Sequence, residues 1–256
     1  MAKKFEEVKV IYLEKPQLKN PILIEGLPGI GNVGKIAAEH LIEEIKAKKF
    51  AELYSTDFPP QVIIGSNGVV RLVKNEFFYW KGKIDLIILT GDYQALSPRG
   101  QYMLAEKIID VAEEFGVKMI FTLGGYGLGM EVERPRVTGA ATDIEIVEEL
   151  KKHGVIFKDE EGGGIVGASG LLLGLGKMRG MKGACLMGET SGYIVDPNSA
   201  REVASVLTKI LGLKISLASL DKKADELKKI TERIKSIEKS MIEKEKGERE
   251  DLRYIG

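Results

Sequence analysis

Seven residues, Gly29-Ile30-Gly31-Asn32-Val33-Gly34-Lys35, carry the spacing most suggestive of chemistry in this chain. Gly29, Gly31 and Gly34 satisfy the dinucleotide fingerprint G-x-G-x-x-G, and Gly29 to Lys35 satisfies most of the P-loop pattern G-x-x-x-x-G-K. The apolar run Ile22-Leu23-Ile24 precedes them as a buried strand, and Val33, Ile36, Ala37, Leu41 and Ile42 follow at helical spacing. The glycines therefore belong to a strand-to-helix turn, where backbone N–H groups could cradle a phosphate at the helix N-terminus.

The P-loop reading fails at its metal ligand. A Ser or Thr must follow the lysine to hold magnesium, and Ile36 stands there instead. The dinucleotide reading needs a ribose-binding carboxylate roughly 20 residues on. Glu52 and Asp57 are the candidates, but Asp57 runs into Phe58-Pro59-Pro60. The alternative is that the glycines supply positive φ and close approach of helix to sheet. Sequence leaves both open.

Other chemistry is sparse. Cys185 lies in the apolar run Ala184-Cys185-Leu186-Met187, as an inert buried thiol would. The two histidines, His40 and His153, sit on charged helical stretches without ligand-like neighbours. Asp92, Tyr93 and Arg99 follow one buried strand and Glu189 and Asp196 another, where open α/β sheets place ligands. No nucleophile, base and orienting group come together, so no catalytic, cofactor or metal residue is assigned. Carboxylates at strand ends also cap helices, and Asp196 before Pro197 reads as an N-cap.

The elements that must position these residues alternate along 256 residues. Strands are expected over Phe5–Leu13, Phe77–Trp80, Asp85–Thr90, Val117–Leu123, Val137–Thr142 and Gly183–Gly188. Gln61 to Val73 reads as a hairpin with a type I′ turn at Asn67-Gly68. Helices are expected from Ser97-Pro98 to Gly116, from Asp143 to His153, from Ser169 to Met178 and from Pro197 onwards. That pattern gives one α/β core domain over residues 1–213, with helices covering a mixed sheet.

Residues 214–242 change character. Leu217, Leu220, Ala224, Leu227, Ile234 and Met241 make a narrow stripe among charged residues, on an amphipathic helix for oligomerisation or projection that must pack on its own domain or on another subunit, the second being the favoured expectation and making the stripe an oligomer seam. Residues 243–256 are expected to be a mobile charged tail with an apolar end. Lys+Arg and Asp+Glu are equal at 38 each, so no global field attracts nucleic acid or an anionic membrane. Without a leader-like segment or apolar span, the chain is expected to be soluble and cytoplasmic; its Lys/Glu richness hints at a thermophile.

An ordered set of motifs resembles the proteasome assembly chaperone family, in particular its archaeal members. They are Glu25-Gly26-Leu27-Pro28-Gly29-Ile30-Gly31-Asn32-Val33-Gly34, Thr90-Gly91-Asp92-Tyr93-Gln94 with Ser97-Pro98-Arg99-Gly100, Gly167-Ala168-Ser169-Gly170, and Gly188-Glu189-Thr190-Ser191-Gly192-Tyr193 with Asp196-Pro197. The resemblance implies a three-layer α/β sandwich with a mixed, mostly parallel sheet, like nucleoside phosphorylases, plus a protruding C-terminal helix. It also implies a non-enzymatic homo-oligomer acting as assembly chaperone or activator on the proteasome core-particle α-subunits, and leaves open whether a second family member is needed. Family docking uses a C-terminal hydrophobic–Tyr–any-residue tripeptide. Here Leu252, Arg253, Tyr254, Ile255 and Gly256 would be the partner-binding residues, with Tyr254 third from the end where the motif has it second.

Overall fold

The computed structural model describes residues 7–157, 163–227 and 229. Its core is an eight-stranded sheet. In chain order the strands are β1 (Val8–Tyr12), β2 (Ile22–Glu25), β3 (Lys48–Ser55), β6 (Asn75–Trp80), β7 (Leu86–Gly91), β8 (Met119–Gly127), β9 (Val137–Ala141) and β10 (Lys182–Thr190). A separate hairpin is made by β4 (Val62–Ile64) and β5 (Val70–Leu72). The spatial order of the sheet is β1-β3-β6-β7-β2-β8-β10-β9.

The four central strands β7, β2, β8 and β10 are parallel, and all four pairings outside them are antiparallel. The sheet is mixed as expected, but parallel pairing is confined to its centre, which corrects "mostly parallel". Burial explains the division. Central runs such as Leu86 to Gly91 are buried throughout, which suits strands covered on both faces, whereas β1 at one edge is partly exposed.

Helices α1 (Val33–Ile45) and α5 (Pro197–Ile210) cover one face and α2 (Pro98–Glu114) and α4 (Ala168–Met178) the other. The short α3 (Ile144–Lys152) packs beside β9. Two apolar cores result. Leu23, Ile87 and Leu89 point to the α2–α4 layer, while the alternate residues Ile24, Leu86 and Ile88 point to the α1–α5 layer.

Helix starts follow local chemistry. The Ser97 hydroxyl accepts from Gly100 N at 3.0 Å, and Asp196 accepts from Ser199 N at 2.9 Å, each with proline next in sequence. The hairpin differs from expectation. Of Asn67-Gly68 only Gly68 has positive φ (79°), and Gly68 N donates back to the Gly65 carbonyl, so the loop spans five residues rather than a two-residue type I′ turn.

The apolar core also runs past Leu213. Leu220 is fully buried in the α1–α5 core, and Ile215 and Leu217 pack on it, before and within a helical stretch over 218–227. Leu220 therefore has no exposed surface left to offer a subunit seam, while Leu217 packs only in part on the same core. Ala224 and Leu227 are half-buried. Ile234, Met241 and the tail residues Leu252 to Gly256 lie outside the described residues.

Candidate functional site at the carboxyl edge of the sheet

The parallel strands β2, β7 and β10 carry three of the motif turns to one edge, and hydrogen bonds from the start of α4 to Gln94 and Glu25 hold the third beside them. The first turn starts at Glu25, whose carboxylate is fully buried and accepts from Leu27 N (2.9 Å) and from Ser169 Oγ (3.0 Å) at the start of α4. Burial pushes its pKa up to about 7, against the opposing pull of those two hydrogen bonds.

The glycines that follow do packing work. A Cβ on Gly26 would lie 2.3 Å from the Gly34 carbonyl oxygen, and one on Gly34 would lie 2.1 Å from that of Leu123. Only hydrogen side chains let α1 approach β8 this closely. Gly31 and Asn32 take left-handed φ of 62° and 50°, making the corner into α1. The Gly31 carbonyl accepts from Asp196 N at 2.8 Å, which ties the first turn to the fourth. Lys35, the lysine of the partial P-loop pattern, donates to the Gly91 carbonyl (2.6 Å) and pairs with Glu39.

In the second turn Asp92 receives both guanidinium nitrogens of Arg71, at 2.5 and 2.9 Å, and Lys74 N at 3.0 Å. Partial burial pushes its carboxyl up, but these donors outweigh it and hold it below the usual range. Gln94 clasps two turns, donating to the Pro28 carbonyl at 2.7 Å and accepting from Ala168 N at 3.0 Å. Tyr93 accepts from Gln61 (2.9 Å), and Arg99 reaches Glu7 on the surface at 3.3 Å. Tyr93 and Arg99 thus turn toward the hairpin and the N-terminal segment, away from the first-turn glycines.

In the fourth turn Glu189, also buried, takes a two-pronged contact from Arg136 at 2.9 and 2.7 Å. Asp196 is the α5 cap. Cys185 lies inside β10, opposite Thr122, and burial pushes its thiol up to about 12, the protonated form at neutral pH. Among the described residues no three His, Cys, Asp or Glu side chains are grouped as a metal site. The strand-end carboxylates hold loops, cap helices or bind arginine.

Sequence reasoning missed two of the ties. Gln94 resembles any loop amide, and His40 resembles any helical histidine. His40 is buried and bonds the stretch leading into the C-terminal helix through Ser216 and Ser219.

Comparison with known proteins agrees with this architecture. The chain is 48% identical to PbaB of Pyrococcus furiosus, an archaeal proteasome activator, with a TM-score of 0.87 over 90% of this chain and 100% of that one. It is 30% identical to PbaA of the same organism, an archaeal homolog of proteasome-assembly chaperone, with a TM-score of 0.77 over 98% of this chain and 100% of that one. An uncharacterized protein of Methanocaldococcus jannaschii, MJ1210, is 44% identical over 242 residues, 93% of each chain. The PAC2 family profile matches residues 23–235, and with its motif turns assembled on one sheet edge the chain is a member of the PAC2 family.

Proposed function

We propose that this protein is a non-enzymatic, homo-oligomeric proteasome activator or assembly chaperone, cytoplasmic, that binds the α-ring of the core particle through its C-terminal tail. The observation that carries this reading is its 48% identity to an archaeal proteasome activator across 90% of the chain. The strand-end carboxylates support the non-enzymatic part, since each spends its oxygens on neighbouring groups of the fold.

The tail would act as a tethered ligand. Tyr254 and Ile255 are its apolar anchors, Arg253 and the terminal carboxylate its charged partners, and the charged run before them a solvated spacer. Several tails on one oligomer raise the grip on a ring by about 10²–10⁴ where geometry allows. Deleting Tyr254-Ile255-Gly256 should abolish capture of α-subunits while leaving the oligomer mass, less the deleted residues, unchanged. Full recovery of α-subunits with the truncated chain would refute the tail.

A further inference from the structure

The hairpin tip brings a side-chain amide and an unshielded backbone nitrogen together. Residues 65–69 join β4 to β5, and all five are exposed. Gly65 N donates to the Val69 carbonyl and Gly68 N to the Gly65 carbonyl, both at 2.9 Å. Asn67 Oδ1 accepts from Val69 N at 3.1 Å. That bond reaches past Gly68, so it folds the carboxamide forward over the Gly68 peptide. It also draws electron density from the Asn67 Cγ atom, as a donor does for any acyl oxygen under attack. The next backbone nitrogen belongs to Gly68, which takes φ 79° and has open space where a Cβ would stand. Its N–H is held by a solvent-exposed loop bond, of the kind that opens at little cost in free energy.

The chain has five asparagines, and the other four lack one or both of these features. Asn20 precedes Pro21, which has no N–H to give up. Asn32 precedes Val33, which is fully buried and branched at Cβ, and whose N–H is bonded to the Ile30 carbonyl. Asn75 has no exposed surface and lies in β6 opposite Gly91. Asn198 precedes the buried Ser199, whose N–H donates to the Asp196 carboxylate at 2.9 Å in the first turn of α5.

We propose that Asn67 is a site of spontaneous deamidation in the folded protein, converting to aspartate and isoaspartate. Hydroxide takes the Gly68 amide proton, and the nitrogen attacks Asn67 Cγ. The new N–Cγ bond closes a cyclic imide as the Cγ–Nδ2 bond breaks, and Nδ2 takes a proton from water to leave as ammonia. A water molecule then opens the ring. Cleavage of the N–Cγ bond leaves aspartate in an ordinary backbone. Cleavage between the Gly68 nitrogen and the Asn67 carbonyl carbon leaves isoaspartate, with the chain running through the former side chain. Either way one water is consumed and one ammonia released, with no oxidant or reductant. This is the lability that makes asparagine a poor residue at high temperature.

The change falls on an apolar surface. Ile64, Val69 and Val70 are exposed around the tip, and the run from Gln61 to Val70 has no ionisable side chain until the new carboxylate appears. Isoaspartate also inserts a backbone atom between Ser66 and Gly68, which disturbs the spacing that lets Gly65 meet Val69. The hairpin is separate from the eight-stranded sheet, so the core is left as it was.

The test is incubation of the full folded chain in neutral and in mildly alkaline buffer, followed by peptide mapping by mass spectrometry and enzymatic methylation of isoaspartate. The peptide holding Asn67 should gain the mass difference between an amide and a carboxyl, with ammonia released in equal amount and a rate that rises with hydroxide. The peptide holding Asn198 should stay intact in the folded protein and convert once urea unfolds the chain. Asn67→Gln, whose imide ring would be one atom larger, should lose the isoaspartate signal with unchanged circular dichroism. Conversion of Asn67 only in the unfolded chain, conversion of Asn198 ahead of it, a rate indifferent to hydroxide, or an undiminished isoaspartate signal in Asn67→Gln would overturn the inference.

Discussion

The His40 Nε2 atom lies 2.8 Å from the Ser216 carbonyl oxygen, joining the middle of α1 to the segment that leads into the C-terminal helix. A carbonyl only accepts, so Nε2 carries the proton, and in the neutral ring Nδ1 accepts from Ser219 Oγ at 3.1 Å. Ser216 N is in turn bonded to Glu44 at 3.1 Å. Three hydrogen bonds from one helix thus fix where the C-terminal helix leaves the body.

His40→Ala should therefore loosen that departure point first. Removing both ring partners leaves the Ser216 carbonyl without its donor, at a cost of about 1–3 kcal/mol. Urea denaturation should show that loss, and limited proteolysis should cut faster between residues 213 and 220 than in wild type. Unchanged cleavage there would mean the histidine does not hold the segment.

Leu220 tests whether the first half of the apolar stripe serves the protomer. It has no exposed surface in a single chain. Leu220→Ala should destabilise the fold by about 2–5 kcal/mol, as for other buried leucines, with an unchanged oligomer mass at low temperature. A variant that dissociates at full thermal stability would return Leu220 to a subunit seam.

The glycines of the first turn separate packing from ligand binding. A Cβ at Gly34 meets the Leu123 backbone oxygen at 2.1 Å, whereas one at Gly29 meets only Gln94 Nε2 at 3.8 Å, and Gly29 is extended with φ −161°. Gly34→Ala should cost about 3 kcal/mol or more without any ligand, and Gly29→Ala close to nothing. Thermal melting of both variants, with and without NAD, ATP and phosphate, distinguishes the readings. A ligand-dependent upward shift in wild type that Gly29→Ala removes would revive the nucleotide hypothesis.

The sequence made visible what is local. Ser97-Pro98 and Asp196-Pro197 announce helix starts because a cap acts within one turn, and the runs Leu86 to Thr90 and Gly183 to Gly188 announce strands by burial alone. Strand order was out of reach, since nothing near Ile22 indicates that β2 lies between β7 and β8. The same limit governs the edge. Gly34 is legible as a turn glycine, but its reason is the carbonyl of Leu123, and the reason for His40 is Ser216, 176 residues away. The stripe from Leu217 was legible as amphipathic, whereas the surface it covers is set by α1 and α5.

Glu25 gives the fold a pH dependence of its own. Its folded pKa of about 7 stands above the ordinary 4.5, so the folded state holds this proton more tightly than the unfolded chain. The stability associated with the protonated form is complete below pH 4.5 and lost as pH rises through 7, roughly 3 kcal/mol in all. Glu25→Gln keeps an acceptor for Leu27 N and offers a donor to Ser169, while removing the charge. Its unfolding free energy should exceed that of wild type above pH 7, with the gap closing toward pH 5. Parallel stability curves for the two proteins across that range would show that Glu25 does not titrate between them.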